Sequence, residues 1–144
     1  MLSYVLHGHA DDEQPRGDEA RDYSEVDRCG VQAALDYETL AGRVPHELPH
    51  NNPGFDIKSE GADGVEVRRI EVKSLEGEWG PRGVALTRQQ YKENERVGEL
   101  YWLYVIEYAT APEKRKVYPI PDPAAQATAY LFDDGWAGLA EDPR

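Results

Sequence analysis

At 144 residues, with 40% hydrophobic and 31% charged side chains, the chain has the composition of one globular domain, not of a disordered segment or a membrane protein. A net charge of −12 opposes tight non-specific nucleic-acid binding by the isolated chain, although it leaves room for a local basic patch. Cys29 is the single cysteine, so an internal disulfide and a cysteine-built zinc site are both excluded.

The first residues, MLSYVLHGHADDE, have neither a basic region nor a long apolar run, so no signal peptide is expected. No stretch approaches the ~20 apolar residues of a membrane span, and the expected location is the cytoplasm. Residues 7–22 are polar and broken by Pro15 and Gly17, which predicts a flexible lead-in over 1–22 to a single domain over 23–136, with a tail over 137–144. His7, His9, Asp11 and Asp12 fall in that lead-in and read as solvated. From Tyr23 to Arg43 the pattern predicts a helix capped by Ser24 and ended by Gly42. Val31, Leu35 and Glu38 share one side of it, and Cys29 reads as a small core residue.

Strands and turns are expected next. The HELPH segment, His46 to His50, matches a zinc-protease pattern that works only on a helix, and Pro49 inside it costs ~3 kcal/mol there. The match is therefore read as a decoy. GFDIKS and RRIEVKS both place an acid between apolar residues, as a strand with one core face does. In an antiparallel hairpin paired residues have a constant index sum. Asp56 and Glu71 add to 127, which centres the turn between Asp63 and Gly64, the Asp-Gly that a tight turn favours. Asp56 is thus expected opposite Glu71, with Lys73 on the same face, and the parity of Val65 and Val67 leaves room for a bulge near Arg68. After the loop EGEWGPRG, Thr87 and Gln90 form a capping box for a second helix. ELYWLYVIEYA reads as a central buried strand, KRKVYPI as an edge strand, and DPAAQATAYLF as a short last helix.

Two carboxylates facing each other across a hairpin repel unless a cation lies between them, and Mg²⁺ takes one or two carboxylates with several waters. Lys73 would then orient a water or stabilise charge on phosphorus. Spacing alone leaves this reading level with a surface network in which Lys58 and Lys73 neutralise the two acids.

Taken together, ETLAGR, PGFDIKS, RRIEVKS, LTRQQ and YWLYVIE resemble the domain named after the C-terminal part of NO VEIN proteins, within the PD-(D/E)xK nuclease-like superfamily. The resemblance covers roughly residues 24–120. It implies an α/β, restriction-endonuclease-like αβββαβ core, with a mixed sheet flanked by helices. It further implies Asp56 and Glu71 as metal-binding acids, Lys73 as the catalytic lysine and Glu38 as an additional acid, with Mg²⁺ or Mn²⁺ as cofactor. For Glu38, an ordinary salt bridge with Arg43 is the alternative. The chain departs from the superfamily pattern in having Phe55 rather than proline before Asp56, and from the family in having Gln90 where an acid is usual.

The expected activity is metal-dependent endonuclease cleavage of DNA, beside a helicase or ATPase partner or as part of such a chain, in defence against foreign DNA. Arg68, Arg69, Arg82, Arg88, Lys92 and Arg96 are candidates to contact nucleic acid, and Trp79 to stack on an unpaired base. Two other readings compete: a nuclease-like docking module without activity, and an acidic protein that mimics DNA.

Overall fold

The computed structural model describes residues 3–7, 17–81, 83–132 and 134–139. Two helices and two sheets form in the order β1 (Ser3–His7), α1 (Gly17–Leu40), β2 (Val44–Glu47), β3 (Ile57–Glu60), β4 (Glu66–Ser74), β5 (Val84–Leu86), α2 (Arg88–Val97), β6 (Tyr101–Glu107), β7 (Lys116–Pro121) and β8 (Ala129–Phe132). The main sheet is mixed, with strand order β2-β3-β4-β6-β7. β4 and β6 run parallel and the other neighbours antiparallel. This α/β arrangement, one five-stranded mixed sheet with two helices, is compatible with a restriction-endonuclease-like core.

The hairpin forms in the expected register. Ile57 pairs with Ile70, Lys58 with Arg69 and Ser59 with Arg68, each pair on the same index sum. The register then shifts so that Glu60 faces Glu66, which leaves Val67 as the extra residue of a bulge beside Arg68. Gly64 closes the turn at φ +79°, a conformation that favours glycine, and the Asp63 side chain accepts from the Val65 N–H at 3.1 Å.

β6 is the central strand. Leu103, Tyr104, Val105 and Ile106 are all fully buried, because one face meets α1 and the other meets β5 and the loop before it. On the α1 side the core gathers Val31, Ala34, Ile57, Ile70, Val72, Tyr104 and Ile106, with Cys29 packed against it. Leu103, Val105, Ile120, Val84 and Leu86 fill the other side. β7 is the edge strand expected from its sequence.

α1 approaches β4 so closely that a Cβ on Gly30 would stand 1.8 Å from the Ser74 Oγ. Only glycine permits that contact, which accounts for a residue that otherwise weakens a helix by ~1 kcal/mol. The helix ends as expected at Gly42, φ +81°.

Three expectations are corrected. The first helix begins at Gly17, so Ser24 lies inside it and does not cap it. Ser3–His7, within the stretch expected as lead-in, pairs in parallel between β5 and β8 as the middle of a three-stranded sheet. The segment expected as a last helix holds one 3₁₀ turn, Pro123–Gln126, and then strand β8. His9, Asp11 and Asp12 lie outside the described residues.

Candidate active site

Alternation along β4 sends Ile70 and Val72 into the α1 core and leaves Glu71 and Lys73 for the other face. That face is drier than its polar residues suggested: Glu71 is only 5% exposed. Its carboxylate is held by the start of α2. Gln90 Nε2 donates to Glu71 Oε1 at 2.6 Å, and Lys73 Nζ donates to Gln90 Oε1 at 3.0 Å while lying 3.4 Å from Glu71 Oε1. Gln90 also completes the capping box, since its side chain accepts from the Thr87 N–H at 2.9 Å and its own N–H donates to Thr87 Oγ1 at 3.2 Å. One amide therefore fixes the entry of α2 and the geometry of the Glu71–Lys73 pair.

Asp56 meets Glu71 from the turn before β3. Its Oδ2 accepts from the Val72 N–H at 2.8 Å, and its carboxyl lies within hydrogen-bond reach of Glu71. These acids and Lys73 line an open pocket of about 510 Å³ together with Asp27 from α1, His50 from the loop after β2, and Gln90.

The pocket's electrostatics follow from burial and like charge. Burial pushes Glu71 up to about 8; Lys73 opposes the shift and Asp56 adds to it. Asp56 is raised as well, first by burial, with the Val72 N–H holding it down and Asp27 pushing it up. Asp27 is raised by burial against the pull of His50 and Lys73. Three acids thus share a region with one lysine, and burial favours their protonated forms unless positive charge is brought to them.

Glu38 is not part of it. It is fully buried at the other end of α1, where Arg43 donates through both Nε and Nη2, Ser59 Oγ donates to Oε2 at 2.7 Å, and the Tyr104 hydroxyl donates to Oε1. Arg68 Nη1 lies 3.6 Å from it and stacks its guanidinium 3.6 Å over Trp102. Burial alone would raise the Glu38 carboxyl, but the bonds from Arg43, Tyr104 and Ser59 hold it below the usual range. The salt bridge with Arg43 is what the structure contains. Asp27 supplies the acid that α1 brings to the pocket. Asp27 and Glu38 are eleven residues apart, close to three helical turns, so both lie on the same face of α1. The family resemblance singled out Glu38, and the helical position that supported it is shared by Asp27.

Across residues 26–120 the chain matches the model of the family described as Protein NO VEIN, C-terminal. The chain belongs to that family. No curated protein and no solved structure matches it. The matched segment of this NO VEIN C-terminal domain runs from Val26, the residue before Asp27, to Ile120 in β7, and so contains the whole pocket.

Among the described residues of the domain, no three His, Cys, Asp or Glu side chains gather closely enough to hold a metal ion. A cation here would rest on Asp56 and Glu71, with water or substrate filling the remaining positions, a donor set that suits Mg²⁺. The bonds to Val72 and Gln90 use Asp56 Oδ2 and Glu71 Oε1, leaving Asp56 Oδ1 and Glu71 Oε2 outside them. Two raised carboxyls, close together and oriented by the protein, fit a divalent cation.

The residues suggested for nucleic acid divide sharply. Arg68 is committed to Glu38, Tyr104 and Trp102. Arg69 bridges Glu66 and Glu93, and Arg96 also pairs with Glu93. Trp79 packs edge-on against Tyr118 with ring centroids 5.5 Å apart, and its backbone N–H donates to Glu107 Oε2, so it belongs to the wall of the core and is not a free stacking platform. Arg82 lies outside the described residues. Arg88 and Lys92 remain, exposed and one turn apart on α2, with no ion pair among the described residues. His46 and Glu47 stand on strand β2, so HELPH forms no zinc helix, yet His50 from the same segment reaches the pocket.

Proposed function

We propose that this NO VEIN C-terminal domain is a Mg²⁺-dependent endonuclease, also served by Mn²⁺, that hydrolyses phosphodiester bonds in DNA. The observation that carries the reading is the convergence of Asp56, Glu71 and Lys73 in one pocket, with the two acids in hydrogen-bond reach of each other. Asp56 and Glu71 would hold the cation. When bound, it supplies Lewis-acid polarisation of the scissile phosphate and a more acidic water. Asp56 is kept in place by the Val72 N–H and Glu71 by Gln90, so neither carboxylate has to be ordered at the moment of reaction. Lys73, oriented by Gln90, brings a fixed ammonium to the attacking water and to the charge that grows on the phosphoryl oxygens.

Arg88 and Lys92 are exposed on α2, the helix whose first turn contributes Gln90 to the pocket, and would hold the phosphate backbone. Two cations are few against a net charge of −12. The reading therefore includes a helicase or ATPase, as partner or in the same parent chain, that delivers DNA in a defence setting in the cytoplasm. Among the described residues no helix is long and apolar enough to cross a membrane.

The extensive pairing of Arg68, Arg69 and Arg96 with acids favours the competing reading, a docking module without activity. The test that separates them is incubation of the purified protein with plasmid, linear and single-stranded DNA in millimolar Mg²⁺ or Mn²⁺. Cleavage abolished by Asp56→Asn supports the nuclease. Intact DNA on every substrate with either metal supports the docking module.

A further inference from the structure

The loop from Leu48 to Asp56 is tied down at several points. The Leu48 N–H donates to Asp56 O at 2.8 Å, Asn52 Nδ2 donates to Phe55 O at 3.0 Å, and the buried Tyr101 hydroxyl donates to Gly54 O at 2.5 Å. His50 sits in this braced loop and lines the same pocket as Asp56, Glu71 and Lys73. The charged groups facing that space are Asp27 from α1, Asp56 from the loop itself, and Glu71 and Lys73 from β4. Asp27 feels both His50 and Lys73, which draw its burial-raised carboxyl back down.

Hydrolysis of a phosphodiester needs help at both ends of the in-line displacement, at the attacking water and at the departing oxygen. Lys73 and Gln90 are committed to Glu71. Asp56 and Glu71 are the cation's acids. Among the other lining side chains, the His50 imidazole can carry a proton on a ring nitrogen and hand it to an oxygen.

We infer that His50 is the catalytic proton donor to the leaving oxygen, and that Asp27 is the positioning residue that holds its imidazole toward the pocket. The inference rests on the endonuclease reading and adds to it the residue that ends the reaction. The water oxygen forms the new bond to phosphorus and releases one proton to solvent. The phosphorus–leaving-oxygen bond breaks, and its electron pair takes the proton carried by His50. One water is consumed, a phosphomonoester and an alcohol form, and His50 regains a proton from solvent.

Replacing the leaving oxygen by sulfur tests this directly, because a thiol ionises near pH ~8.5 and departs without a proton. The full chain, in Mg²⁺ or Mn²⁺, is given matched DNA with oxygen or with bridging sulfur at the 3′ or the 5′ position of the cut site. His50→Ala should slow cleavage of all-oxygen DNA by on the order of 10²-fold, and leave the sulfur substrate that relieves the leaving group within a few-fold of wild type. Asp27→Asn should slow the oxygen substrate less, and should add nothing in the His50→Ala background if the two act as one unit. Equal losses on oxygen and sulfur substrates, or no loss on either, would overturn the proton-donor role while leaving the nuclease intact. An independent, multiplying effect of Asp27→Asn would overturn the pairing. A wild-type protein that cuts neither substrate removes both the endonuclease and this inference.

Discussion

Substituting Glu71 by glutamine should make the protein more stable near neutral pH in the absence of added cation. Burial raises the Glu71 carboxyl from 4.5 to about 8. A group whose folded value lies above its unfolded value contributes stability that is complete below the unfolded value and lost as pH rises through the folded one. For Glu71 that window runs from about pH 4.5 to about pH 8. At pH 7 the unfolded chain has released this proton and the folded chain mostly has not. The difference of roughly two and a half units, at 1.36 kcal/mol each, gives an upper limit of about 3 kcal/mol. A glutamine at position 71 imitates the protonated acid: it accepts from Gln90 Nε2 and donates to Asp56, without ionising in either state.

For a chain of this size, 3 kcal/mol corresponds to roughly 10 °C in Tm. Urea and thermal melts of wild type and Glu71→Gln at pH 5, 7 and 9 with EDTA should show the two converging at pH 5 and separating above it. Millimolar Mg²⁺ should narrow the gap by stabilising wild type through mass action. Identical pH slopes for the two proteins would refute the buried, repelling pair on which the site depends.

Glu38→Ala should destabilise the fold by about 3–5 kcal/mol in denaturant melts, because it strips Arg43, Arg68, Ser59 and Tyr104 of a shared buried acceptor. Loss of less than ~1 kcal/mol would show that the network is solvated. Arg88→Glu with Lys92→Glu should weaken DNA binding and flatten its salt dependence by a slope of roughly two, measured by fluorescence anisotropy across a salt series. An unchanged slope would remove α2 from the path of the backbone.

The hairpin was legible because its register follows from local signals. Asp63-Gly64 sets the turn, and the alternation of Asp56 and Glu71 with apolar neighbours sets the face. The capping box at Thr87 and Gln90 was legible for the same reason, since all its bonds fall within one turn. What that box does was not: Gln90 reaches Glu71 and Lys73 across the gap between α2 and β4, a contact with no trace in local spacing. Helical periodicity identified the α1 face that meets the sheet but could not say which turn lies over the pocket. Asp27 was therefore missed, and the family resemblance placed Glu38 there instead. The pairings of Arg68 and Arg69, and the packing of Trp79 on Tyr118, are likewise non-local, so charge and aromaticity read from sequence overstated the nucleic-acid surface. β8 was read as helix because its parallel partner, β1, lies at the opposite end of the chain.

A paired measurement of wild type and Lys73→Ala tests the nuclease site most directly: cleavage of plasmid and single-stranded DNA in Mg²⁺ and Mn²⁺, beside calorimetric titration of each protein with the same cations. Lys73 touches Gln90 and Glu71 but is not needed to hold a cation, so the variant should bind metal at least as well as wild type. Its cleavage rate should fall by on the order of 10² to 10⁴. Wild type that cuts no faster than Lys73→Ala, or that neither binds metal nor cuts, would contradict the assignment of this pocket as a nuclease site.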